Sequence, residues 1–246
     1  MSKSLVWAHR GASAYAPDNS MPAFELAVKM MSDGIEIDTH LSKDGIPVLC
    51  HDDVLDNTSD GAGRVRDHTL DELRRLNFNR NFPELGRVGI VTLEECYLFA
   101  KKNGLFVNNE IKHYDDENWE ELNEQVLKAA IKTGMEDSIL YSGFWHDRLS
   151  ELKKKAPDTR IGLLYMDYIE APWDYAKEYN ADALHPEYCR ILEQDYISRC
   201  HRAGILVNPW TIDEREKIEN ALKLGSDAII SNRPDLVRNI LDHLKM

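Results

Sequence analysis

Short apolar segments, each typical of a buried strand, alternate with amphipathic stretches along most of the chain. A glycine often separates an amphipathic stretch from the next apolar segment, as Gly34, Gly104, Gly204 and Gly225 do. Glycine adopts the left-handed conformation that commonly ends a helix at little steric cost. The resulting alternation of helix and strand predicts a parallel sheet.

Nine segments have the length and apolar character of strands: residues 5–10, 34–39, 46–51, 105–112, 138–144, 160–165, 181–185, 205–211 and 227–231. The linker Ser42-Lys43-Asp44-Gly45 is typical of a β-hairpin, so the second and third segments must be antiparallel. If the third strand is an excursion that returns to the mouth of a barrel, eight parallel strands remain. The sequence therefore predicts an α/β fold, a TIM (β/α)8 barrel, for which 246 residues is an ordinary length.

The rhythm of helix and strand breaks between residues 54 and 89, where glycine, asparagine and proline surround one short helical piece at 70–76. We interpret residues 40–90 as a small insertion over the barrel mouth, after the second barrel strand of a single domain that spans residues 1–246. The rhythm then resumes with a capping box of Thr92 and Glu95, and Asp213 with Glu216 predicts a comparable helix start near the end of the chain.

Charge and cysteine content narrow the possible partners and location. A formal net charge of −13 argues against a nucleic-acid-binding surface. No apolar run approaches the ~20 residues that span a bilayer, so no stable membrane insertion is expected. The four cysteines are dispersed without a CxxC pair and are expected to be free thiols in a reducing cytosol. Together with an N-terminus too short for a signal segment before the first strand, these features predict a cytoplasmic protein.

Carboxylates are paired on two predicted strands. Glu36 and Asp38 alternate with Ile35 and Ile37, so period two places both carboxylates on one face. Glu110 and Lys112 repeat this arrangement on the next barrel strand. A set of buried ion pairs is the plainer alternative, but three carboxylates near one lysine leave excess negative charge. One divalent cation would balance it, and oxygen ligands favour Mg²⁺, Ca²⁺ or Mn²⁺ over zinc.

Two histidines and two cations follow the same predicted strands. His9 and His51 each end an apolar run, and either one alone would more often be structural. Together, beside a metal site, they are candidates for general acid and general base. Arg10 and Lys112 are candidates to neutralise a phosphoryl group.

These motifs resemble the glycerophosphodiester phosphodiesterase family. The resemblance rests on His9-Arg10-Gly11, Pro17-Asp18-Asn19-Ser20, Glu36-Ile37-Asp38, Lys43-Asp44-Gly45, His51-Asp52-Asp53, Glu110-Ile111-Lys112, Ser142-Gly143-Phe144, Val207-Asn208-Pro209-Trp210-Thr211 and Ile229-Ile230-Ser231-Asn232-Arg233-Pro234. It covers nearly the whole chain and implies a TIM barrel, dependence on a divalent metal, and hydrolysis of a small-molecule glycerophosphodiester to glycerol 3-phosphate and an alcohol.

The resemblance also implies roles for single residues. His9 and His51 match the family's acid/base pair, and the metal ligands match Glu36, Asp38 and Glu110. Arg10 and Lys112 match phosphate-contacting positions, and Trp210 matches an aromatic residue that lines the pocket. Two positions depart from the family pattern. Asp18 stands where glutamate is usual, and its side chain is one methylene shorter, so it has less reach toward a partner, for which Arg10 is a candidate. Asn232 stands where aspartate is frequent, with no ligand role implied.

Several alternatives stay open at this point. The same core would serve a lysophospholipase D-like or phospholipase C-like enzyme acting on a lipid, or a barrel that only binds phosphodiesters. Phe144 and Tyr165 either border the substrate or fill layers of the barrel. The sequence does not assign the acid and base roles between His9 and His51, the head group, a cyclic phosphate intermediate or the oligomeric state.

Overall fold

The computed structural model describes residues 4–114 and 118–243. Strands alternate with helices along the chain, as the sequence predicts. The strands are β1 (Leu5–His9), β2 (Gly34–Leu41), β3 (Pro47–Leu49), β4 (Val91–Thr92), β5 (Phe106–Ile111), β6 (Ile139–Gly143), β7 (Arg160–Tyr165), β8 (Ala183–Pro186), β9 (Leu206–Val207) and β10 (Ala228–Ser231). The helices are α1 (Met21–Lys29), α2 (Leu70–Leu73), α3 (Leu93–Asn103), α4 (Trp119–Thr133), α5 (His146–Lys155), α6 (Pro172–Glu178), α7 (Tyr196–Arg202), α8 (Arg215–Leu224) and α9 (Pro234–His243).

The sheet closes into a TIM barrel. Within the described residues, eight strands run parallel in the order β10-β1-β2-β5-β6-β7-β8-β9. The remaining gap is bridged where the Asp227 N–H donates to the Val207 carbonyl at 2.9 Å and the Ile230 N–H donates to the Pro209 carbonyl at 3.2 Å. The predicted fold class is therefore confirmed, although β9 keeps only two residues of the predicted segment 205–211.

The third predicted strand is an excursion, as expected. β3 pairs antiparallel with β2, and β4, which was not predicted, pairs antiparallel with β3. Between them lie short 3-10 turns and α2, shorter than the predicted piece at 70–76. A separate apolar cluster that includes Val48, Leu55, Leu73 and Phe78 packs under this segment. The excursion therefore has its own small core, which holds the end of β3 against the barrel.

Two local expectations were wrong. Gly34 does not end a helix in the left-handed region: Met31 takes that conformation with φ of 56°, and Gly34 begins β2. A Cβ at Gly34 would lie 2.7 Å from the Phe106 carbonyl oxygen, so close strand packing explains this glycine. Asp213 with Glu216 does not cap α8, whose N-cap is Glu214 without a side-chain hydrogen bond. The capping box of Thr92 and Glu95 on α3 is confirmed.

No helix in the described part of the chain combines the length and the apolar character that crossing a bilayer requires.

Candidate active site

The predicted site residues meet at the carboxyl ends of the barrel strands, around a cavity of about 170 Å³. All of them except Asp38 line this cavity, and Asp38 lies fully buried behind it. The lining residues are His9, Arg10, Glu36, His51, Asn108, Glu110, Lys112, Phe144, Leu164, Trp210 and Ile230. Residues from seven barrel strands or the loops after them, and from the excursion, thus converge on one pocket.

The turn after β1 aims a backbone donor at the carboxylates. Arg10 and Gly11 are both left-handed, with φ of 56° and 81°. In this conformation the Arg10 N–H donates to Glu36 Oε2 at 3.0 Å. A Cβ at Gly11 would lie 2.7 Å from the Ala23 Cβ, so only glycine allows α1 to pack this closely.

Glu36, Asp38 and Glu110 form a compact carboxylate cluster. Each offers an oxygen within 4.8 Å of the others, and all three residues are buried. In the parallel pairing of β2 and β5, Glu36 lies beside Asn108 and Asp38 lies beside Glu110. The side chains that alternate onto one face of each strand therefore meet at the same position in the barrel. Burial, with the charges of Asp38 and Glu110 added, raises the pKa of Glu36 well above its usual value.

Lys112 and Arg10 neutralise part of this cluster. Lys112 Nζ lies 2.5 Å from Glu110 Oε1 and 2.9 Å from Asp38 Oδ1, while Arg10 Nε lies 3.2 Å from Asp38 Oδ2. Burial alone would raise the pKa of Asp38, but Lys112 and Arg10 hold it well below the usual range. The buried ion pairs of the plainer interpretation therefore do form.

The carboxylates of the site outnumber its cations, which favours a bound divalent cation. Arg10 also contacts Asp18 at 3.7 Å, so the proposed partner of Asp18 is present, although the contact is long. When Asp18 and the three clustered carboxylates are all ionised, they carry two more charges than Arg10 and Lys112 balance. Buried charge without a counter-charge is costly, and all-oxygen ligands suit Mg²⁺, Ca²⁺ or Mn²⁺.

His9 is fixed at the other edge of the carboxylate cluster. Its Nδ1 lies 2.6 Å from Asn232 Oδ1, and its Nε2 lies 3.9 Å from Glu36 Oε2. Burial and the adjacent charge of Arg10 lower the pKa of His9 to about 4. The ring is therefore neutral at pH 7.

His51 faces the cavity from the excursion, just beyond the end of β3. Its Nδ1 lies 2.6 Å from Asp52 Oδ1, and Asn57 holds the second oxygen of Asp52 at 2.7 Å. Burial lowers the pKa of His51, and the charges of Asp38 and the bond to Asp52 oppose that shift. The His51 Nδ1 thus bonds to a carboxylate, which opposes the fall in pKa, whereas the His9 Nδ1 bonds to an amide oxygen.

The far side of the cavity is apolar. Phe144, Leu164, Trp210 and Ile230 line it, and the Phe144 and Trp210 rings meet edge to face with centroids 5.8 Å apart. Trp210 is held by its Nε1–H, which donates to the His185 carbonyl at 2.7 Å. Of the two aromatic residues left open by the sequence, Phe144 therefore borders the pocket, whereas Tyr165 is buried with its hydroxyl bonded to Tyr196.

Three asparagines at the site had no predicted role. Asn19, itself left-handed, donates from Nδ2 to Asp38 Oδ2 at 2.7 Å and accepts from the Asp38 N–H at 3.0 Å. Asn232 holds His9, as described above. Among the described residues, neither amide atom of Asn108 has a hydrogen-bond partner, although the side chain is buried and lines the cavity. The signal for Asn108 was available, because it lies two residues before Glu110 on the same face of β5.

Comparison with known proteins places this geometry in one family. The profile of the "Glycerophosphoryl diester phosphodiesterase family" matches residues 9–236. The chain is 36% identical to a glycerophosphodiester phosphodiesterase of Caldanaerobacter subterraneus subsp. tengcongensis, over 97% of this chain and 98% of that protein. It is 32% identical to one of Bacillus altitudinis, over 98% of this chain and 99% of that protein.

Solved structures agree with the fold. A putative glycerophosphoryl diester phosphodiesterase from Silicibacter pomeroyi superposes with a TM-score of 0.90 at 21% identity, covering 100% of this chain and 96% of that one. An Oleispira antarctica phosphodiesterase in complex with the product sn-glycerol-3-phosphate superposes with a TM-score of 0.85 at 27% identity, covering 98% and 97%. From the profile match and from relatives this similar over their full length, it follows that the chain belongs to the glycerophosphoryl diester phosphodiesterase family.

Proposed function

We propose that this protein hydrolyses glycerophosphodiesters to sn-glycerol 3-phosphate and an alcohol, by acid/base catalysis between His9 and His51. The observation that carries the proposal is the placement of both histidines, a carboxylate cluster and two cations on one cavity. The relatives named above carry the same activity in their names, and the Oleispira antarctica structure holds sn-glycerol-3-phosphate.

Glu36, Asp38 and Glu110 would hold one divalent cation, for which we propose Mg²⁺ or Ca²⁺, with Mn²⁺ as a substitute. When bound, such an ion polarises phosphoryl oxygens and lowers the pKa of a coordinated hydroxyl. Asn19 and Lys112 would keep the Asp38 carboxylate in place for this task, since both bond to it directly.

Arg10 and Lys112 would bind the phosphodiester itself. Both line the cavity, and a guanidinium and an ammonium there offer charge-assisted hydrogen bonds to phosphoryl oxygens. The free amide of Asn108 would add a neutral contact to a substrate oxygen, which also satisfies an otherwise costly buried polar group. Trp210 would pack against an apolar part of the substrate.

We assign the base to His9 and the acid to His51. His9 is neutral at pH 7 and bonds to an amide, so its ring can accept a proton from the nucleophile. His51 bonds to the Asp52 carboxylate, which stabilises the protonated ring that must give a proton to the leaving alkoxide.

A turnover assay tests the reaction. Glycerophosphocholine, glycerophosphoethanolamine and glycerophosphoinositol are supplied with and without a chelator, and the phosphate-containing product is identified. The proposal expects glycerol 3-phosphate from at least one of them, lost on chelation and restored by the added ion. Absence of turnover on all three with every ion tested would contradict it.

The leaving group separates the two histidines. Loss of a general acid is costly with a basic choline alkoxide and far less costly with p-nitrophenolate. We therefore expect His51→Ala to be rescued selectively on the activated ester and His9→Ala to be impaired on both substrates. Selective rescue of His9→Ala instead would reverse the assignment.

One observation favours a lipid as a second substrate. Phe144, Trp145, Met166 and Tyr168 follow β6 and β7 at the cavity end of the barrel, and all four are more than 40% exposed. They would give a single acyl chain an apolar surface beside the phosphodiester, as lysophospholipase D-like activity needs. Turnover of lysophosphatidylcholine that Tyr168→Ser weakens, with glycerophosphocholine turnover unchanged, would support this activity. Absence of lysophosphatidylcholine turnover would exclude it.

We also propose one domain for the chain and a cytoplasmic location. Residues 1–246 would form one domain in which residues 40–90 are the insertion. The protein would act in the cytoplasm, in keeping with its four unpaired cysteines, of which three are buried. Limited proteolysis and cell fractionation test these two points.

A further inference from the structure

We propose that Asp213 and Asn232 are positioning residues that hold His9 in one tautomer, with the hydrogen on Nδ1 and the lone pair of Nε2 facing the cavity. The inference rests on the proposed role of His9 as base, and it explains two residues for which the family resemblance supplies no role. They come from the loops after β9 and β10, the two strands that precede β1 around the barrel.

The chain of hydrogen bonds begins at Asp213. Its Oδ1 accepts from the Asn232 N–H at 2.8 Å and from the Ser231 hydroxyl at 2.9 Å, while its Oδ2 accepts from Asn232 Nδ2 at 2.6 Å. Three donors to one carboxylate fix its position. This use of Asp213 also explains why it does not cap α8.

An ionised carboxylate only accepts hydrogen bonds, so the group that Asn232 turns toward Asp213 must be its NH₂. The amide oxygen then faces His9. Because an amide oxygen also only accepts, the His9 Nδ1 at 2.6 Å must carry the hydrogen. The Ser13 hydroxyl lies 2.7 Å from this oxygen and 2.7 Å from the His9 carbonyl. It can donate to either acceptor, and in both cases the hydrogen between His9 and Asn232 belongs to Nδ1.

The other ring nitrogen of His9, Nε2, faces the carboxylate cluster. In a neutral imidazole with hydrogen on Nδ1, Nε2 has a free lone pair, and this is the nitrogen that faces Glu36 Oε2 at 3.9 Å. A proton acceptor is thus directed to the carboxylate cluster, where the nucleophile must bind. If the Asn232 amide were flipped, its NH₂ would donate to His9 Nδ1, and the ring hydrogen would move to Nε2. Nε2 could then no longer accept a proton from the nucleophile.

A reciprocal exchange tests the inference. Asp213→Asn removes the acceptor that selects the amide orientation, and Asn232→Asp places two carboxylates against each other. Asp213→Asn combined with Asn232→Asp restores one donor facing one acceptor, and again presents an oxygen to His9. Asp235→Asn is the matched control, because Asp235 accepts from Tyr15 nearby and has no bond to this chain of residues.

The tautomer of His9 is read from two-bond ¹H–¹⁵N correlation spectra of the full chain, with Mg²⁺ and with chelator, assigned against His9→Gln. We expect hydrogen on Nδ1 in the parent protein and in Asp235→Asn. Asp213→Asn is expected to lose the single tautomer and to lower kcat by about 10²-fold with little change in KM. The paired exchange should recover both properties.

Hydrogen on Nε2 in the parent protein would overturn the inference. So would an Asp213→Asn protein with unchanged tautomer and kcat, or a paired exchange no better than either single variant. The test is separate from the proposed function: full activity of His9→Ala would refute His9 as base, while the spectra still report whether Asp213 and Asn232 set its tautomer.

Discussion

The two walls of the cavity are built from different halves of the barrel. The polar wall comes from β1, β2, β5 and the excursion, and its charged groups bond to one another at 2.5–3.7 Å. The apolar wall comes from β6, β7, β10 and the loop after β9, and contributes Phe144, Leu164, Trp210 and Ile230. The titratable and charged groups are therefore concentrated on one wall, and substitutions on the two walls should change different kinetic constants.

Removing a carboxylate from the polar wall should have the largest effect. We expect Glu36→Gln or Glu110→Gln to weaken metal binding and to lower kcat/KM by about 10³-fold or more at a fixed metal concentration. Because Glu36 is buried among like charges, Glu36→Gln should also raise the unfolding temperature in chelator. Metal titration and calorimetry measure both. Glu214→Gln, on the surface, is the control, and a metal titration unchanged in both cluster variants would refute their role.

Removing either histidine should cost nearly as much. A positioned acid or base contributes about 10²–10⁴-fold, so His9→Ala and His51→Ala should each lower kcat on that scale with modest change in KM. The losses should not multiply in the double variant, because the residues act as a unit. Steady-state kinetics checks this, with the exposed His201→Ala as control. A histidine variant that kept most of its kcat would make that residue structural.

Truncating the apolar wall should affect binding more than chemistry. We expect Trp210→Ala to raise KM by about 10-fold and to leave kcat within about threefold, because packing contacts the ground state and the transition state alike. Trp210→Phe, which keeps a ring, should recover much of the KM. A fall of kcat comparable to that of the histidine variants would show that the two walls do not divide the work in this way.

His185 lies behind the apolar wall, and we expect His185→Gln to have the smallest effect on activity and to change the pH dependence of stability. His185 is fully buried, and burial lowers its pKa to about 3. The unfolded chain then binds the extra proton first as the pH falls below about 6.5, so the folded state loses stability on acidification. From pH 7 to 4.5 this group should lower the free energy of unfolding by about 2–3 kcal/mol. Urea unfolding in chelator measures the free energy of unfolding at each pH. This free energy should fall less steeply with acidification in His185→Gln than in the parent protein, and an identical pH dependence in the two proteins would contradict the assignment.

Much of the polar wall could be predicted from the sequence because its signals are local. Alternation along β2 and β5 placed Glu36, Asp38, Glu110 and Lys112 on shared faces, and the Asp44-Gly45 turn identified the hairpin. These inferences need only the geometry of one strand or one turn.

The residues that local patterns missed are joined across the chain. His9 and Asn232 are 223 positions apart and meet only because β10 closes the barrel onto β1. Asp213 had a plausible local use as a helix cap, and the long-range bonds to Ser231 and Asn232 took precedence. Asn19 reaches Asp38 from a loop with positive φ, a conformation that no periodicity reports.

We propose that the polar wall binds one divalent cation on Glu36, Asp38 and Glu110. The most direct test is an anomalous difference map from crystals of the protein grown with Mn²⁺. We predict one strong peak within ligand distance, about 2.0–2.6 Å, of an oxygen from each of the three carboxylates. A map without a peak there, from an enzyme that keeps full activity after exhaustive chelation, would contradict it.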